Sequence, residues 1–264
     1  MASKTPSAPR VTAIVGSYLS GKTTLLEAIL FTAGKIGRKG SVNEGSTVGD
    51  GSPEARARNM SVEMNVASTD YLDEQWTFID CPGSVELVQE SLNAEAVADI
   101  TVVVAEPGAD KALSVGRQLR DLDDRGIPHA IFINKVDTAE ASVGETLDAL
   151  RELTNRPLVL REIPIREGDE ITGIVDLVSQ RAYKWKDGEA SEEIEVPGDV
   201  GERLEFERTI MMESLADFND TLLEKLLEDE VPPVEEIFEN MAGAVAAGSV
   251  VPVLFGSALA GNGI

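Results

Sequence analysis

The sequence predicts an α/β fold with a doubly wound, mostly parallel sheet, into which a smaller α+β subdomain is inserted. Three observations lead to this prediction. Short runs of branched apolar residues alternate with segments of helical periodicity over residues 10–153. From residue 154 the pattern changes to shorter strands and two amphipathic helices. The run at 250–255 then has the composition of one more buried strand, which needs the first sheet as its partner.

The first part of the chain contains four predicted strands and four predicted helices. The strands are 10–16, 75–80, 100–106 and 129–135, and the helices are about 23–34, 85–98, 111–125 and 139–153. Gly34 stands at the end of the first helix, where a C-cap glycine belongs.

The second part is predicted to form the inserted subdomain. We expect short strands around a turn at Gly168 and Asp169, an acidic connector over 186–199 that forms a solvated turn, and helices at about 201–229 and 233–247. The alternative is two domains in tandem, but the strand at 250–255 would then have no sheet to join.

Composition and charge exclude several classes of protein. The chain has 264 residues and a formal net charge of −24. This charge argues against DNA binding through a broad basic face, although a small basic patch can still contact RNA. Residues 1–10 lack an apolar core and predict no signal peptide, and no apolar run is long enough to span a membrane. Cys81 is the only cysteine, which excludes an intrachain disulfide and indicates a reducing, cytoplasmic environment.

The stretch GSYLSGKT, residues 16–23, fits the phosphate-loop pattern G-x-x-x-x-G-K-[ST] between a strand and a helix. Backbone N–H groups of such a loop surround phosphate oxygens, helped by the partial positive charge of the helix N-terminus. Lys22 should reach the β- and γ-phosphates, and the Thr23 hydroxyl should bind Mg²⁺. The other candidate phosphate-binding residues are Gly16, Ser20, Gly21 and Thr24. The alternative is an ordinary glycine turn before a helix.

The stretch NKVD, residues 134–137, predicts that the base is guanine. Asp137 can accept hydrogen bonds from the N1–H and the exocyclic amine of guanine, a donor pair that adenine lacks. Asn134 and the aliphatic stem of Lys135 would hold the ring. The loop GSA at 256–258 adds Ser257 and the backbone N–H of Ala258, which would bind the guanine carbonyl. An ATPase or a kinase with a phosphate loop is the alternative that these two stretches disfavour.

A switch that senses the γ-phosphate is predicted after the strand 75–80. Asp80 should lie in the outer coordination sphere of Mg²⁺, and the N–H of Gly83 should face the γ-phosphate, so that loss of this phosphate releases the loop. A second switch needs a hydroxyl that closes over Mg²⁺, and Ser61 is the candidate. The alternative for Ser61 is a surface serine in a mobile loop.

With these elements in order, the chain resembles the amino-terminal G domain of elongation factor G and its paralogues, a family of translational GTPases. The resemblance covers almost all of residues 10–264. Its most specific stretches are GKTTLLEAILFTAGKIGRKGSVNEGSTVGD (21–50), IPIREGDEITGIVDLVSQRAYKW (163–185), LLEKLLEDE (222–230) and VVPVLFGSALAGNGI (250–264). The implied fold is the P-loop GTPase fold, in which residues 1–156 form the first part of the G domain and residues 250–264 its closing strand and guanine loop. The resemblance implies that residues 157–249 form the inserted G′ subdomain.

The resemblance also implies cofactors and partners. The cofactors are GTP or GDP and Mg²⁺. The partners are the ribosome, including its large-subunit RNA and proteins, and the remaining domains of the same factor, with no DNA and no membrane. We expect those remaining domains because the last helix of such a G domain should begin at about residue 264, and ending there would leave one face of the sheet uncovered.

Three residues depart from the pattern of the family. Ser84 replaces the histidine that orients the attacking water, Leu19 replaces an aspartate of the phosphate loop beside which a monovalent cation binds, and Ser61 replaces the switch threonine. A positioned group that orients water or moves its proton is worth roughly 10²–10⁴ in rate. We therefore predict intact nucleotide binding and slow hydrolysis, with Gly83, Ser84 and Ser61 as the catalytic candidates and Ser84 contributing little or acting through a second water.

Two functions share all of these nucleotide-binding residues. One is a ribosome-stimulated GTPase, which we favour as the class. The other is a GTP-loaded switch that docks on a partner and hydrolyses GTP very slowly. His129, the only histidine, is expected to be structural because it begins a buried strand far along the chain from the switch.

Overall fold

The structure of the protein is a computed structural model, which describes residues 10–138, 143–186 and 188–264. It contains two compact units, whose described parts are residues 10–105 with Ile264, and residues 106–263. Two predicted segments lie partly outside the described residues. They are residues 1–10, where no signal peptide is predicted, and the helix predicted at 139–153. Within these residues no helix is both long and apolar enough to span a membrane.

The first unit is built on four strands in the order β2-β3-β1-β4. The strands are β1 (Arg10–Gly16), β2 (Asn65–Tyr71), β3 (Glu74–Asp80) and β4 (Ile100–Ala105). β1 pairs in parallel with β3 and β4, whereas β2 is an antiparallel edge strand on β3. The helices are α1 (Lys22–Thr32), α2 (Pro53–Arg58) and α3 (Val88–Glu95), and a 3₁₀ turn at Val85–Leu87 precedes α3.

Strand β1 lies in the core of this unit and is buried on both faces, as an interior parallel strand should be. Ala13, Ile14 and Val15 are completely buried. A Cβ on Gly16 would lie 2.3 Å from the carbonyl oxygen of Val104, so the end of β1 packs against β4 only because residue 16 is glycine.

Helix α1 ends as the sequence predicts. Gly34 has φ of 72°, in the left-handed region that a C-cap glycine adopts, and its N–H donates to the Phe31 carbonyl at 2.9 Å. The predicted cap glycine of α1 is therefore confirmed.

The second unit contains three parallel strands and a separate antiparallel sheet. Its elements are α4 (Ala109–Leu113), α5 (Gly116–Asp124), β5 (His129–Ile133), α6 (Val143–Arg151), β6 (Leu158–Leu160), β7 (Glu162–Glu167), β8 (Glu170–Asp176), β9 (Ala182–Lys184), β10 (Glu192–Ile194), α7 (Gly201–Ala216), α8 (Asp220–Leu227), α9 (Val234–Ala246) and β11 (Val251–Phe255). β11 lies between β5 and β6 and is parallel to both, and the antiparallel sheet has the order β10-β9-β8-β7.

This topology confirms the predicted fold class, a mostly parallel sheet with an additional α+β region. The late strand β11 pairs with the earlier strands β5 and β6, as the composition of 250–255 predicts. β6 belongs to this parallel pairing, although it lies within the segment predicted as the insert. Gly168, with φ of 66°, forms the predicted turn between β7 and β8.

Three predictions of secondary structure are wrong in detail. The helix predicted at 111–125 is two helices, α4 and α5, and Gly116 begins the second where a Cβ would lie 2.8 Å from a methyl carbon of Leu153. The helix predicted at 201–229 is also divided, because the Asn219 side chain accepts a hydrogen bond from the Leu222 N–H and caps a new helix.

The connector predicted as a solvated turn over 186–199 contains the short strand β10. This strand pairs with β9, with Glu192 opposite Lys184, and the Lys186 Nζ lies 2.9 Å from the Glu192 carboxylate. Cross-strand pairing of opposite charges contributes modestly to this strand pairing.

Candidate functional site

The phosphate loop joins β1 to α1, and the switch loop after β3 packs against it. Lys22 begins α1, and its buried Nζ donates a hydrogen bond to the carbonyl oxygen of Ser17 at 2.9 Å. A Cβ on Gly83 would come within 2.4 Å of this Nζ and 2.7 Å of the Ser17 oxygen. The structure therefore brings the predicted γ-phosphate sensor against the predicted phosphate-binding lysine, at a position where only glycine fits.

The remaining residues of the phosphate loop lie around the start of α1. Ser20 is completely buried, Gly21 has φ of 92° directly before the helix, and Thr24 lies in its first turn. Leu19 has φ of 62° and a side chain that is 61% exposed. A left-handed backbone is unusual for leucine, so the loop itself and not the preference of this side chain determines the conformation.

Three oxygen-bearing side chains meet at the first turn of α1. The Thr23 hydroxyl donates to Asp80 Oδ2 at 2.6 Å, and the hydroxyl oxygens of Thr23 and Ser61 lie 3.2 Å apart. Asp80 is completely buried, yet its Oδ1 has no hydrogen-bond partner among the described residues. Oxygen ligands are those that Mg²⁺ prefers, so the residues present fit this ion.

Mg²⁺ could not be held here by carboxylates alone. Within the described ranges there is no group of three or more His, Cys, Asp or Glu side chains that could hold a metal ion. Mg²⁺ is commonly bound through one or two protein oxygens together with substrate phosphates and water. A site of this composition fits an ion that phosphates and water help to hold.

Burial raises the pKa of Asp80 to about 7, although the Thr23 hydrogen bond and the Lys22 charge lower it. The charges of Asp50 and Glu27 raise it further. An ionised carboxylate at this position is thus costly unless a cation lies nearby. A bound Mg²⁺ would favour the ionised form.

Ser61 is buried, so the alternative of a surface serine in a mobile loop is wrong. It follows α2, whose first turn is capped by the Ser52 side chain. The segment before α2 is held by Glu27 of α1, whose carboxylate accepts hydrogen bonds from the N–H groups of Gly40 at 2.7 Å and Val48 at 2.5 Å. Sequence reasoning missed Glu27, although an acidic residue on an otherwise apolar helix face was a signal for it.

Ser84 directly follows Gly83 and precedes the 3₁₀ turn. Its hydroxyl donates a hydrogen bond to the carboxylate of Glu86, which is exposed, and this hydrogen bond lowers the pKa of Glu86. Sequence reasoning missed Glu86. The pair shows that the hydroxyl of the residue after Gly83 is engaged with a carboxylate two residues further on.

In the second unit, Asn134 lies at the end of β5 and binds the loop after β11. Its Oδ1 accepts a hydrogen bond from the Ala258 N–H at 2.9 Å, and both residues are buried. This N–H is the one predicted to bind the guanine carbonyl, so a bound base would share or replace the contact with Asn134. The Asp137 side chain is exposed.

Lys135 and the loop 256–258 are held by contacts of their own. Lys135 has φ of 63°, and its Nζ donates to Glu106 Oε1 at 2.5 Å, a partner that sequence reasoning missed. Ser257 is buried and forms a bridge to Asn262, and a Cβ on Gly256 would lie 2.3 Å from the Asn262 carbonyl oxygen. These contacts give the guanine-binding candidates a defined backbone.

His129 is completely buried at the start of β5, as expected for a structural residue. Its Nδ1 lies 3.0 Å from the Ile127 carbonyl oxygen, which indicates that this nitrogen carries the proton and donates it. Burial lowers the pKa of His129, which favours the neutral ring. Burial and this hydrogen bond are what a structural histidine requires, so a catalytic role is not needed to explain His129.

The sequence matches the profile of the elongation factor Tu GTP binding domain over residues 8–264. The chain therefore belongs to this family of GTP-binding domains of translation elongation factors, which confirms the class predicted from its motifs. The name of the family is that of a GTP-binding domain.

Individual relatives place the chain within this family. It is 44% identical over 249 residues to an elongation factor G-like protein of Synechocystis sp., covering 94% of this chain and 37% of the relative. It is 31% identical to elongation factor G 2 of Syntrophus aciditrophicus, covering 95% of this chain and 38% of the relative. The resemblance to elongation factor G is thus confirmed, and the chain spans less than two fifths of the length of these relatives.

A solved structure supports the fold. A crystal structure of a protein from Thermus thermophilus matches with a TM-score of 0.82 and 31% sequence identity. The match covers 94% of this chain and 37% of that one.

Proposed function

We propose that this chain is the G domain of an elongation factor G-type translation factor that binds GTP with Mg²⁺ and hydrolyses it slowly to GDP and phosphate. The observation that carries the proposal is the meeting of Thr23, Ser61 and Asp80 beside Lys22 and Gly83 in the first unit. Two hydroxyls, a buried carboxylate, an amine and a glycine N–H form a set suited to a metal-bound triphosphate.

Each of these groups has a distinct task. The Lys22 amine exchanges the Ser17 carbonyl for β- and γ-phosphate oxygens. The hydroxyls of Thr23 and Ser61 would hold the metal, and Asp80, which accepts from the Thr23 hydroxyl, would supply negative charge beside it. The Gly83 N–H donates to the γ-phosphate. Mg²⁺, when bound, neutralises charge on the phosphate oxygens.

Guanine selection is assigned to the second unit. Asp137 accepts from the two guanine donors, while Asn134 and Lys135 hold the ring and its surroundings. The loop carrying Ser257 and Ala258 approaches the guanine carbonyl. The contact between Asn134 and Ala258 supports this assignment, because it brings the two predicted stretches together.

Slow hydrolysis follows from Ser84. The serine side chain is shorter than a histidine side chain, and its hydroxyl donates to Glu86. It therefore cannot orient an attacking water as an imidazole would. The same contact favours a second candidate function, a GTP-loaded switch that docks on its partner and turns over very little. In either case the side chain of Leu19 offers no carboxylate oxygen for a monovalent cation beside the phosphates.

The partners and the domain division belong to the same proposal. We propose that the factor acts on the ribosome in the cytoplasm, through large-subunit RNA and proteins, and that further domains of the factor act together with this one. Residues 157–249 are assigned to the G′ insert, between the first part of the G domain at 1–156 and its last part at 250–264, although β6 within this range pairs with β11. The antiparallel sheet β10-β9-β8-β7 within the insert supports this division.

Equilibrium binding and turnover of the full-length factor test the proposal. We expect GTP and GDP to compete with each other for one site and ATP to compete at least roughly 10²-fold more weakly. We expect 70S ribosomes to accelerate hydrolysis of bound GTP. Equal affinity for ATP would refute the guanine assignment, and GTP binding without any turnover on ribosomes would favour the switch.

A further inference from the structure

A buried carboxylate from the antiparallel sheet holds the end of the strand that carries the guanine loop. Glu162 is the first residue of β7, and its side chain is 6% exposed. Its Oε1 accepts a hydrogen bond from the backbone N–H of Phe255 at 2.7 Å. Phe255 is the last residue of β11 and is completely buried, and Gly256, Ser257 and Ala258 follow it directly.

The Phe255 N–H needs this side chain because β6 ends too early to serve it. The Val251 N–H donates to the Pro157 carbonyl at 2.9 Å, and in a parallel ladder alternate residues bond to the same neighbouring strand. On this spacing the partner of the Phe255 N–H would be the Arg161 carbonyl. That carbonyl instead accepts from the Leu177 N–H at 3.0 Å.

Glu162 therefore replaces a backbone acceptor that the ladder has lost. A buried N–H without a partner is costly, so the position of Phe255 depends on the Glu162 oxygen. Burial raises the pKa of Glu162 to about 7, while the Phe255 N–H and the Arg161 charge lower it and Asp176 raises it. Arg161 is itself paired with Asp176 at 2.7 Å.

The end of β11 is linked directly to the guanine-binding candidates. The Gly256 N–H donates to the Ile133 carbonyl at 2.9 Å, and the Val136 N–H donates to the Gly256 carbonyl at 3.3 Å. Two residues later, the Ala258 N–H reaches Asn134. A shift of Phe255 therefore moves the loop relative to Asn134 and to the stretch 134–137.

We propose that Glu162 is a positioning residue for guanine recognition, through which the first strand of the antiparallel sheet fixes the loop that binds the guanine carbonyl. The inference rests on the proposed function, since it concerns the guanine side of the same site. It assigns a role in nucleotide affinity to a side chain that does not touch the nucleotide.

Three substitutions in the full-length factor separate this role from general stability. Glu162→Leu removes the acceptor, Glu162→Asp shortens its reach by one methylene, and Glu162→Gln keeps an oxygen that can accept from Phe255. We expect the dissociation rate of a fluorescent GDP analogue to rise roughly tenfold or more for Glu162→Leu, less for Glu162→Asp, and to stay within about twofold for Glu162→Gln. If the negative charge of Glu162 were required, the uncharged glutamine would not restore slow GDP dissociation. A normal dissociation rate in Glu162→Gln therefore shows that the acceptor oxygen is what matters.

Val175→Ala is the matched control, because Val175 is completely buried in β8, opposite Ile163 of β7. It should lower the melting temperature without a comparable change in GDP dissociation. An equal rise in dissociation for Val175→Ala, or unchanged dissociation for Glu162→Leu, would overturn the inference.

Two further results complete the test. If Glu162→Leu does not fold, the comparison of Glu162→Asp with Glu162→Gln tests the inference instead. Equal GDP dissociation rates for these two variants would overturn it. A native factor that binds GDP no more tightly than ADP would overturn the proposed function itself, whereas tight GDP binding that all three variants retain would overturn only the role of Glu162.

Discussion

The phosphate-binding candidates of the first unit (the phosphate half) and the guanine-binding candidates of the second unit (the guanine half) are held in place in different ways. In the first unit, the groups predicted to bind phosphate and Mg²⁺ hold one another, as Lys22 does with Ser17 and Thr23 with Asp80. In the second unit, the groups predicted to bind guanine are held largely by residues that do not meet the base, such as Glu106 and Glu162. Under the proposed function, a nucleotide exchanges contacts of Lys22 and Thr23 in the phosphate half, whereas in the guanine half it exchanges the one between Asn134 and Ala258.

This difference explains why substitutions should act unequally in the two halves. A group of the phosphate half is both a support and a ligand, so its removal costs both contributions. In the guanine half Glu106 and Glu162 are supports only, so a support can be removed there without removing a candidate ligand. The predictions below are ordered from the largest expected effect to the smallest.

Lys22→Met should have the largest effect on nucleotide binding. Loss of the amine leaves the phosphate charge without its buried partner, which is expected to lower GTP affinity by roughly 10²–10³-fold. Titration calorimetry of the full-length factor measures this change. Lys35→Met, on the exposed segment after α1, is the control and should bind GTP normally.

Asp137→Ala should remove base selection while sparing the phosphate half. Without the carboxylate, the two guanine donors have no acceptor, and the ratio of GTP to ATP affinity should fall by roughly 10²-fold. Competition between the two nucleotides gives this ratio. An unchanged ratio would contradict the assignment of Asp137, and Asp199→Ala, in an exposed connector, is the matched control.

Ser61→Ala should raise the Mg²⁺ concentration that GTP binding requires. The hydroxyl lies 3.2 Å from that of Thr23, and its loss removes one candidate metal ligand. We expect the Mg²⁺ concentration needed for half-maximal GTP binding to rise roughly tenfold. Ser191→Ala, at an exposed position, should leave it unchanged.

Glu162→Gln should alter the pH dependence of stability more than nucleotide binding. Because the pKa of Glu162 is raised to about 7 from its ordinary value of 4.5, the folded protein holds a proton between these pH values that the unfolded chain releases. Its contribution to stability is thus fully present below about pH 4.5 and is lost as pH rises through about 7. Glutamine removes this contribution.

Chemical denaturation at pH 5 and pH 8 measures the difference. The decrease in unfolding free energy between these pH values should be smaller in Glu162→Gln than in the native protein, by on the order of 2 kcal/mol. Asp80 also has a raised pKa, so part of the decrease should persist in the variant. An identical decrease in both proteins would contradict the titration of Glu162.

The local parts of this account could be predicted from sequence, because each depends on neighbours in the chain. The phosphate loop, the strand that ends at Asp80 and the glycine cap of α1 all follow from short patterns. The pairing of β11 with earlier strands could also be predicted, since a buried strand needs a sheet. The break between α7 and α8 at Asn219 could also have been predicted, because asparagine is a preferred N-cap residue.

The supporting carboxylates could not be predicted in the same way. Glu162 and Phe255 are 93 residues apart, and no local pattern shows that the Arg161 carbonyl turns away from β11. Glu106 reaches Lys135 across 29 residues. Such contacts depend on where strands end in the folded chain, which tertiary packing determines and sequence periodicity does not reveal.

The most direct test of the central claim is single-turnover hydrolysis of GTP bound to the full-length factor on 70S ribosomes, comparing the native protein with Ser84→His. Ser191→His is the matched control at an exposed position in the second unit. Because an imidazole can orient the attacking water, we predict that Ser84→His hydrolyses GTP roughly 10²–10⁴-fold faster than the native protein, while the control does not change. A native rate equal to that of Ser84→His would contradict the account, since the γ-phosphate loop would then need no water-orienting residue at position 84.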